Sequence, residues 1–221
     1  MHLYENEVNT MTPMKQFYHQ QSNTIIQNLK RRNMSAYYCS TSAEAIKLAL
    51  SLTENNTTVS FGGSTTLEET GLLTKLKEGT YNLLDRSSAT TPEEIRSIYH
   101  DSFDADTYFM STNAISLDGQ LVNIDGRGNR VAALIYGPKQ VIILAGMNKV
   151  ESSLEDAINR VQNFAAPANT QRLSRQTPCR KTGFCHDCQT DDCICCNTVI
   201  TRRSGEEGRI KVILIGEVLG Y

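Results

Sequence analysis

The chain has 221 residues, of which 39% are hydrophobic and 21% charged, so it is long enough to bury a large core and has an ordinary globular composition. Its net charge is −2 and its longest basic run is Lys30-Arg31-Arg32, which argues against a general nucleic-acid-binding protein. No signal peptide and no apolar segment of bilayer length is visible, so we expect a cytoplasmic protein without membrane insertion.

The first half of the chain predicts alternating helices and strands after a flexible segment, 1–12. A hydroxyl followed by proline, at Thr12-Pro13, starts a helix that extends to about Asn33. At two further helix starts a threonine lies three residues before a glutamate, a pattern that favours capping, and a third start has proline at its first position and acidic residues in its first turn. The predicted strands are Ser35–Cys39, Asn56–Phe61, Tyr81–Leu84 and Ala105–Met110, and the helices start at Thr41, at Thr65 (to about Lys77) and at Thr91.

The centre of the chain predicts a hairpin and a buried strand. The apolar run Ile115–Ile124 folds back at Asp118-Gly119, because both positions of such a dipeptide tolerate positive φ. The run Val141–Ala145 shows no alternation and is rich in β-branched residues, as is typical of a parallel strand that is covered on both faces.

The remaining elements complete an α/β pattern. A helix starts at Ser152, where Glu155 completes a capping pattern, and ends before Pro167; the chain from there to Thr177 is polar and irregular. The last apolar run, Arg209–Gly216, predicts a central or near-central strand. Strands that alternate with helices predict an α/β fold with a mostly parallel sheet and one local hairpin, and we expect one domain over residues 13–221.

Polar residues follow the predicted strands, at the edge where ligands collect in open α/β sheets. Asn148 and Lys149 come directly after the buried strand, and we expect four further polar residues near them: Asn113, Asp125, Asn129 and Arg130. An alternative is that the glycines of the loop 125–130 make a solvated turn, with Arg130 in a surface ion pair. Composition alone favours this alternative.

The loop after the strand Asn56–Phe61 is a second candidate for ligand binding. Its residues Gly62, Gly63, Ser64 and Thr65 lead into a helix, so free backbone N–H groups would face an anion. The loop lacks the lysine of a P-loop and the spacing of a dinucleotide fingerprint, and the alternative is a simple tight turn. Together the two loops predict a site for a small anionic metabolite.

Six of the seven cysteines lie between Cys179 and Cys196, which indicates a metal site. Cys185 and Cys188 are spaced so that two thiolates converge on one metal, and Cys179 with one late cysteine would complete four-sulfur coordination. Zinc and an iron–sulfur cluster both stay open, because the spacing matches neither common ferredoxin pattern. His186 is a possible substitute ligand, and unliganded loop cysteines are the alternative.

The motifs together resemble the lactate-utilisation (LUD) domain family over residues 14–221. The resemblance is carried by Phe61-Gly62-Gly63-Ser64-Thr65-Thr66, Thr112-Asn113-Ala114-Ile115, Asp118-Gly119, Asp125-Gly126-x-Gly128-Asn129-Arg130, Tyr136-Gly137-Pro138-Lys139, Gly146-x-Asn148-Lys149, Arg160 and Ala166-Pro167. It implies a three-layer α/β fold related to the sugar-phosphate isomerase and CoA-transferase superfamily.

The resemblance also implies a function. Some LUD proteins take part in the oxidation of L-lactate to pyruvate with iron–sulfur partner proteins, and this chain looks like a short branch with a cysteine-rich C-terminal segment. By that pattern the ligand set is Cys179, Cys185, Cys188 and Cys195, although Cys193 and Cys196 depart from it. We therefore expect a metal-thiolate redox subunit or accessory of organic-acid utilisation.

Two other functions compete with this expectation. An enzyme of the related superfamily that acts on a CoA ester or a sugar phosphate would need a carboxylate nucleophile or base, for which Glu68, Glu69 and Asp125 are the candidates. A non-catalytic binding module would use the cysteines only to hold a structural zinc ion.

Overall fold

The structure is a computed structural model that describes residues 12–221. The predicted flexible segment 1–12 therefore lies, apart from Thr12, outside the described residues. Ten strands are numbered in chain order: β1 Ser35–Cys39, β2 Thr58–Phe61, β3 Asn82–Leu84, β4 Thr107–Met110, β5 Ala114–Ser116, β6 Leu121–Asp125, β7 Gln140–Gly146, β8 Val150–Glu151, β9 Asn197–Thr201 and β10 Ile210–Ile215.

The helices of the described residues are numbered in the same way. They are α1 Pro13–Arg31, α2 Ser42–Ser51, α3 Thr65–Glu69, α4 Leu72–Glu78, α5 Pro92–Asp101, α6 Asn129–Ile135, α7 Leu154–Arg160, α8 Ala166–Arg172 and α9 Pro178–Thr182. A π-helical turn, Val161–Ala165, joins α7 to α8. None of these helices has the length and apolar character that a bilayer span requires.

Six parallel strands form the larger sheet, in the order β1-β10-β7-β4-β2-β3. Strand β7 lies inside it and is covered on both faces, as the sequence predicts: Ile142 and Leu144 pack in the cluster that contains Leu67 and Leu76, from helices α3 and α4. The intervening residues of β7 pack in a second cluster with Leu29 of α1. The prediction of a parallel sheet between helical layers is confirmed.

The predicted hairpin is present but belongs to a second sheet, which the sequence analysis did not anticipate. Strands β5 and β6 pair antiparallel within a four-stranded sheet of order β8-β5-β6-β9. The turn is at Asp118-Gly119 as predicted, and of the two residues only Gly119 has a positive φ, +85°. Arg32, the C-cap residue of α1, donates to the Asp118 carboxylate at 2.8 Å and thereby ties the hairpin to the first helix.

Two predicted helix boundaries are wrong for identifiable reasons. The helix predicted from Thr65 to Lys77 is capped by Ser64 and is divided by Gly71, whose φ of +81° ends one helical segment before the next begins. Pro167 does not stop its helix, because it lies in the first turn of α8, where its missing N–H has no intrahelical partner to lose. The π-helical turn before it makes this restart of the helix possible.

Candidate functional site

Loops that follow three adjacent strands of the large sheet surround a small cavity. They are Gly62–Thr66 after β2, Ser111–Asn113 after β4 and Met147–Lys149 after β7. This Lys149 cavity measures about 70 Å³, which is room for about five water molecules. Its charged side chains are Arg130, Lys149 and Arg172, and no acidic side chain of residues 12–221 lines it. The charge of the lining favours a small anion.

The amine of Lys149 is buried beside this cavity. Lys149 is only 3% exposed, and its Nζ donates to Thr66 Oγ1 at 2.8 Å and to Ser111 Oγ at 3.0 Å. No carboxylate of the described part of the chain forms an ion pair with it. Two neutral hydroxyl groups are thus its polar contacts, and its charge has no direct counterion there.

These surroundings change the proton affinity of Lys149. Burial lowers its pKa most, and the positive charges of Arg160 and Arg130 lower it further against a smaller opposing effect of Glu69; the resulting pKa is about 7. About half of the molecules would carry a neutral amine near neutral pH. A lysine in this state can act as a base or a nucleophile.

The glycine loop after β2 offers hydrogen-bond donors to the same cavity. Four successive backbone N–H groups have no hydrogen-bond partner within residues 12–221, those of Gly63, Ser64, Thr65 and Thr66. The Ser64 hydroxyl caps α3 by accepting from Leu67 N at 3.4 Å. The guanidinium of Arg86 lies directly against Gly63, where a Cβ would displace it.

Arg130 lines the cavity, but the protein itself occupies its donors. Only 13% of the side chain is exposed, and its Nε lies 3.5 Å from Asp125 Oδ2. The two terminal nitrogens donate at 2.6–3.2 Å to Ser111 O, Asn123 Oδ1, Asn113 Oδ1 and Ile124 O. A surface ion pair is therefore the wrong interpretation of Arg130. The residue contributes positive potential to the cavity, while its hydrogen bonds hold the loops together.

Asp125 and Asn113 have different roles in the same network. The Asp125 carboxylate accepts from the backbone N–H groups of Arg127 and Gly128, at 3.1 and 2.8 Å, and so closes its own loop. The Asn113 side-chain oxygen accepts from Ile124 N and from Arg130, both at 3.0 Å. The Asn113 amide nitrogen has no partner among the described residues, so it can donate to a ligand in the cavity that Asn113 lines.

Six of the ten residues predicted to bind an anion line the Lys149 cavity: Gly63, Ser64, Thr65, Asn113, Arg130 and Lys149. Gly62 stands behind it, where a Cβ would press on the Arg130 side chain at 3.1 Å. Asn148 accepts from Leu219 N at 3.0 Å and fixes the C-terminal segment. Asp125 and Asn129 line a larger adjoining groove of about 450 Å³.

The C-terminal segment and α8 complete the cavity, and the sequence analysis missed both. The Tyr221 hydroxyl donates to Asn169 Oδ1 at 2.9 Å and accepts from Arg172 Nε at 2.7 Å and from Thr65 Oγ1 at 3.2 Å. Gly220 N donates to Glu69 Oε2 at 2.6 Å, which places this carboxylate against the C-terminal backbone. The alternative of an enzyme acting on a CoA ester or a sugar phosphate needs a carboxylate, with Glu68, Glu69 and Asp125 as candidates. None of these three residues lines the Lys149 cavity.

A second cavity, of about 170 Å³, is lined by five cysteines: Cys179, Cys185, Cys188, Cys193 and Cys195. We call it the cysteine cavity. Cys196 is exposed and does not line it, and every cysteine is a free thiol. Within residues 12–221 no three or more His, Cys, Asp or Glu side chains already converge on a point suited to one metal ion. The thiols surround a space instead.

The thiols influence one another. Burial and, to a smaller extent, the neighbouring thiols of Cys193, Cys185 and Cys179 together raise the pKa of Cys195 to about 12. Three thiols are therefore close enough to Cys195 to disfavour its thiolate form. A bound metal cation would oppose this effect, because it stabilises the deprotonated form of its cysteine ligands.

Helix α8 lies between the two cavities. Asn169 and Arg172 line the Lys149 cavity, whereas Ala166, Pro167 and Thr170 line the cysteine cavity. Ile124 of β6 lines both cavities as well, so the two cavities are neighbouring spaces on either side of α8.

The family model of the LUD domain matches residues 23–215. The chain belongs to the LUD domain family. A comparison with curated proteins found no match for this LUD domain. Among solved structures it is similar to a DUF162 family protein from Deinococcus radiodurans, with 14% identity, a TM-score of 0.49 and coverage of 91% of this chain and 98% of that one. It is also similar to eIF2B delta from Chaetomium thermophilum, with 17% identity, a TM-score of 0.32 and coverage of 62% and 53%.

Proposed function

We propose that this LUD domain is an anion-binding redox protein of organic-acid metabolism, such as lactate utilisation, and that its cysteine cavity holds a thiolate-bound metal centre. The observation that carries the proposal is the position of α8, which contributes side chains to both cavities. An organic acid beside Lys149 would lie across α8, a helix about 10 Å in diameter, from the metal centre. Such a separation suits electron exchange.

The donors around the Lys149 cavity support a carboxylate ligand. The free backbone N–H groups of the glycine loop 63–66 and the Asn113 amide can each donate to an oxygen atom. The terminal nitrogens of Arg172 have no partner among the described residues, since only its Nε is bound. A guanidinium with two free nitrogens can hold a carboxylate through two parallel hydrogen bonds.

The cysteine cavity supports a metal centre larger than one ion. Cys179, Cys185 and Cys188 would supply three ligands, and Cys193 or Cys195 the fourth. A single zinc ion would draw four sulfurs to about 2.3 Å from one point, whereas five thiols here line about 170 Å³. An iron–sulfur cluster would fit this space and supplies one-electron transfer. Oxidation of a hydroxy acid releases two electrons, so iron–sulfur partner proteins would be needed to carry them away.

Anaerobic purification tests the metal centre. We expect stoichiometric iron and sulfide, and visible absorbance that decreases on reduction. Cys188→Ser should lose this absorbance, while the matched variant Cys196→Ser, in the same segment but outside the cavity, should retain it. A colourless protein with stoichiometric zinc would reject the redox role, and equal loss in both variants would reject the assignment of ligands.

Calorimetric titration with L-lactate and with pyruvate tests the anion site. Arg172→Gln should weaken binding by about tenfold or more, because it removes a charge-assisted hydrogen bond to the carboxylate. Arg96→Gln changes an exposed arginine of α5 and should leave the affinity unchanged. Equal affinities for wild type and Arg172→Gln would show that the carboxylate binds elsewhere.

A further inference from the structure

We propose that Lys149 is a nucleophilic amine that forms a Schiff base with the carbonyl carbon of a small 2-oxo acid bound in the Lys149 cavity. The inference rests on the proposed function, because it takes from it the assignment of the cavity to an organic acid. It adds a covalent step and narrows the ligand to acids that carry a carbonyl group next to the carboxylate.

The hydrogen bonds of Lys149 direct its lone pair. The Thr66 hydroxyl donates to Leu219 O at 3.4 Å and the Ser111 hydroxyl donates to Thr112 O at 3.3 Å, so both oxygens are left to accept from Lys149 Nζ. A neutral amine has two N–H groups and one lone pair. With both N–H groups directed at hydroxyls, the lone pair has no partner within residues 12–221 and can react with a molecule in the cavity.

The charged groups around Lys149 favour this neutral form. Three positive side chains lie near Lys149: Arg160 of α7, Arg130 of α6 and Arg172 of α8. The acidic side chain that acts on its proton affinity is Glu69 of α3. A protonated Lys149 would add one more positive charge to a buried site without an ion pair. Burial and the guanidinium groups of Arg160 and Arg130 accordingly lower the pKa of Lys149 to about 7.

The proposed step needs no oxidant or reductant. The carboxylate would bind the free terminal nitrogens of Arg172 and hold the adjacent carbonyl near Lys149 Nζ. The lone pair attacks the carbonyl carbon, a C–N bond forms, and the carbonyl oxygen takes one hydrogen of the amine. That oxygen then leaves as water with the second amine hydrogen, so a C=N bond replaces the C=O bond and one water molecule is released.

Reductive trapping tests the proposal. The wild-type protein is incubated with pyruvate and sodium cyanoborohydride, and the modified peptides are identified by mass spectrometry. We expect one major adduct, on Lys149, and none with L-lactate, which has no carbonyl carbon to attack. Lys149→Met should lose the adduct, while Lys139→Met, which changes an exposed lysine paired with Asp106, should retain it. Because the site is mapped in the wild type, the result does not depend on whether Lys149→Met folds.

The pH dependence supplies a second readout. The ratio of adduct at Lys149 to adduct at exposed lysines should be highest near pH 7 and should fall as the pH rises towards 10, where exposed lysines also become neutral; the ratio cancels the pH dependence of the reduction itself. Absence of an adduct, or an adduct spread equally over exposed lysines, would overturn the proposal. Calorimetric binding of pyruvate without any adduct would overturn the Schiff base alone and leave the anion site of the proposed function in place.

Discussion

Replacing Lys149 by methionine removes a buried group whose proton affinity changes strongly on folding. Its pKa falls from 10.5 in the unfolded reference to about 7 in the folded protein. Since each tenfold change in proton affinity is worth about 1.4 kcal/mol, the charged amine destabilises the fold by about 5 kcal/mol. A lysine with a lowered folded-state pKa exerts this penalty fully below the folded pKa, and the penalty is relieved as the pH rises from about 7 towards the unfolded value.

We therefore expect Lys149 alone to raise the free energy of unfolding of the wild type by about 2–3 kcal/mol between about pH 6 and pH 9. Chemical denaturation of wild type and Lys149→Met, under reducing conditions and at several pH values, measures this change in the free energy of unfolding. Histidines and cysteines titrate in both proteins, so the difference between the two curves isolates Lys149. Near pH 6 the methionine variant should be the more stable protein, because it buries an apolar side chain in place of a charge.

A lysine elsewhere provides the control. Lys139 is exposed and pairs with Asp106 at 2.6 Å, so Lys139→Met should keep the wild-type dependence on pH. If the free energies of unfolding of wild type and Lys149→Met change in parallel with pH, the reasoning is refuted. Such a result would mean that the Lys149 amine stays charged and solvated in the folded protein.

Three further substitutions test the fold and the site. Gly119→Ala should lower the free energy of unfolding by about 2–4 kcal/mol, because φ is +85° and a Cβ would lie 3.0 Å from the backbone of Asn28. The control Gly71→Ala, at φ +81° with open space around it, should lower it by only about 1 kcal/mol. Equal losses for the two variants in urea denaturation would contradict this reasoning. Arg130→Lys should destabilise by about 3–5 kcal/mol, because one ammonium cannot satisfy the oxygens that the guanidinium binds; a loss below about 1 kcal/mol by the same assay would contradict it. Tyr221→Phe should cost about 1 kcal/mol in thermal unfolding, since its hydroxyl joins α3 to α8, and an unchanged unfolding curve would show that this link contributes nothing.

The elements that the sequence predicted correctly are those that bury a regular apolar pattern. The strand Val141–Ala145 is covered on both faces, so its continuous run of apolar residues is visible in the sequence. Strand β9 was missed because Asn197–Thr201 is largely exposed and therefore shows no such pattern. Helix α8 was missed because Pro167 usually ends a helix, and nothing in the local sequence reveals the π-helical turn that lets the chain restart there.

The candidate site was predictable only where residues directly follow strands. Lys149 and Gly63 were found in this way, and Ser111-Thr112 could have been, because these polar residues come immediately after β4. Arg172 and Tyr221 reach the cavity through contacts between distant parts of the chain, for which the sequence contains no local signal. Arg130 was misjudged because its acceptors, two backbone and two side-chain oxygens, come from separate parts of the chain, and their positions depend on the whole fold.

The position of β10 has a consequence for how the protein is made. This strand is near the C-terminal end of the described chain, yet it pairs with β1 on one side and β7 on the other, so that Ser35 is opposite Lys211. During synthesis, the edges of β1 and β7 that pair with β10 stay unpaired until β10 has been made. Unpaired strand edges are prone to pair with strands of other chains. Contacts between such distant residues also slow folding. We therefore expect the nascent chain to depend on chaperones until residue 215 has left the ribosome. Without chaperones, we expect aggregation to begin at the edges of β1 and β7.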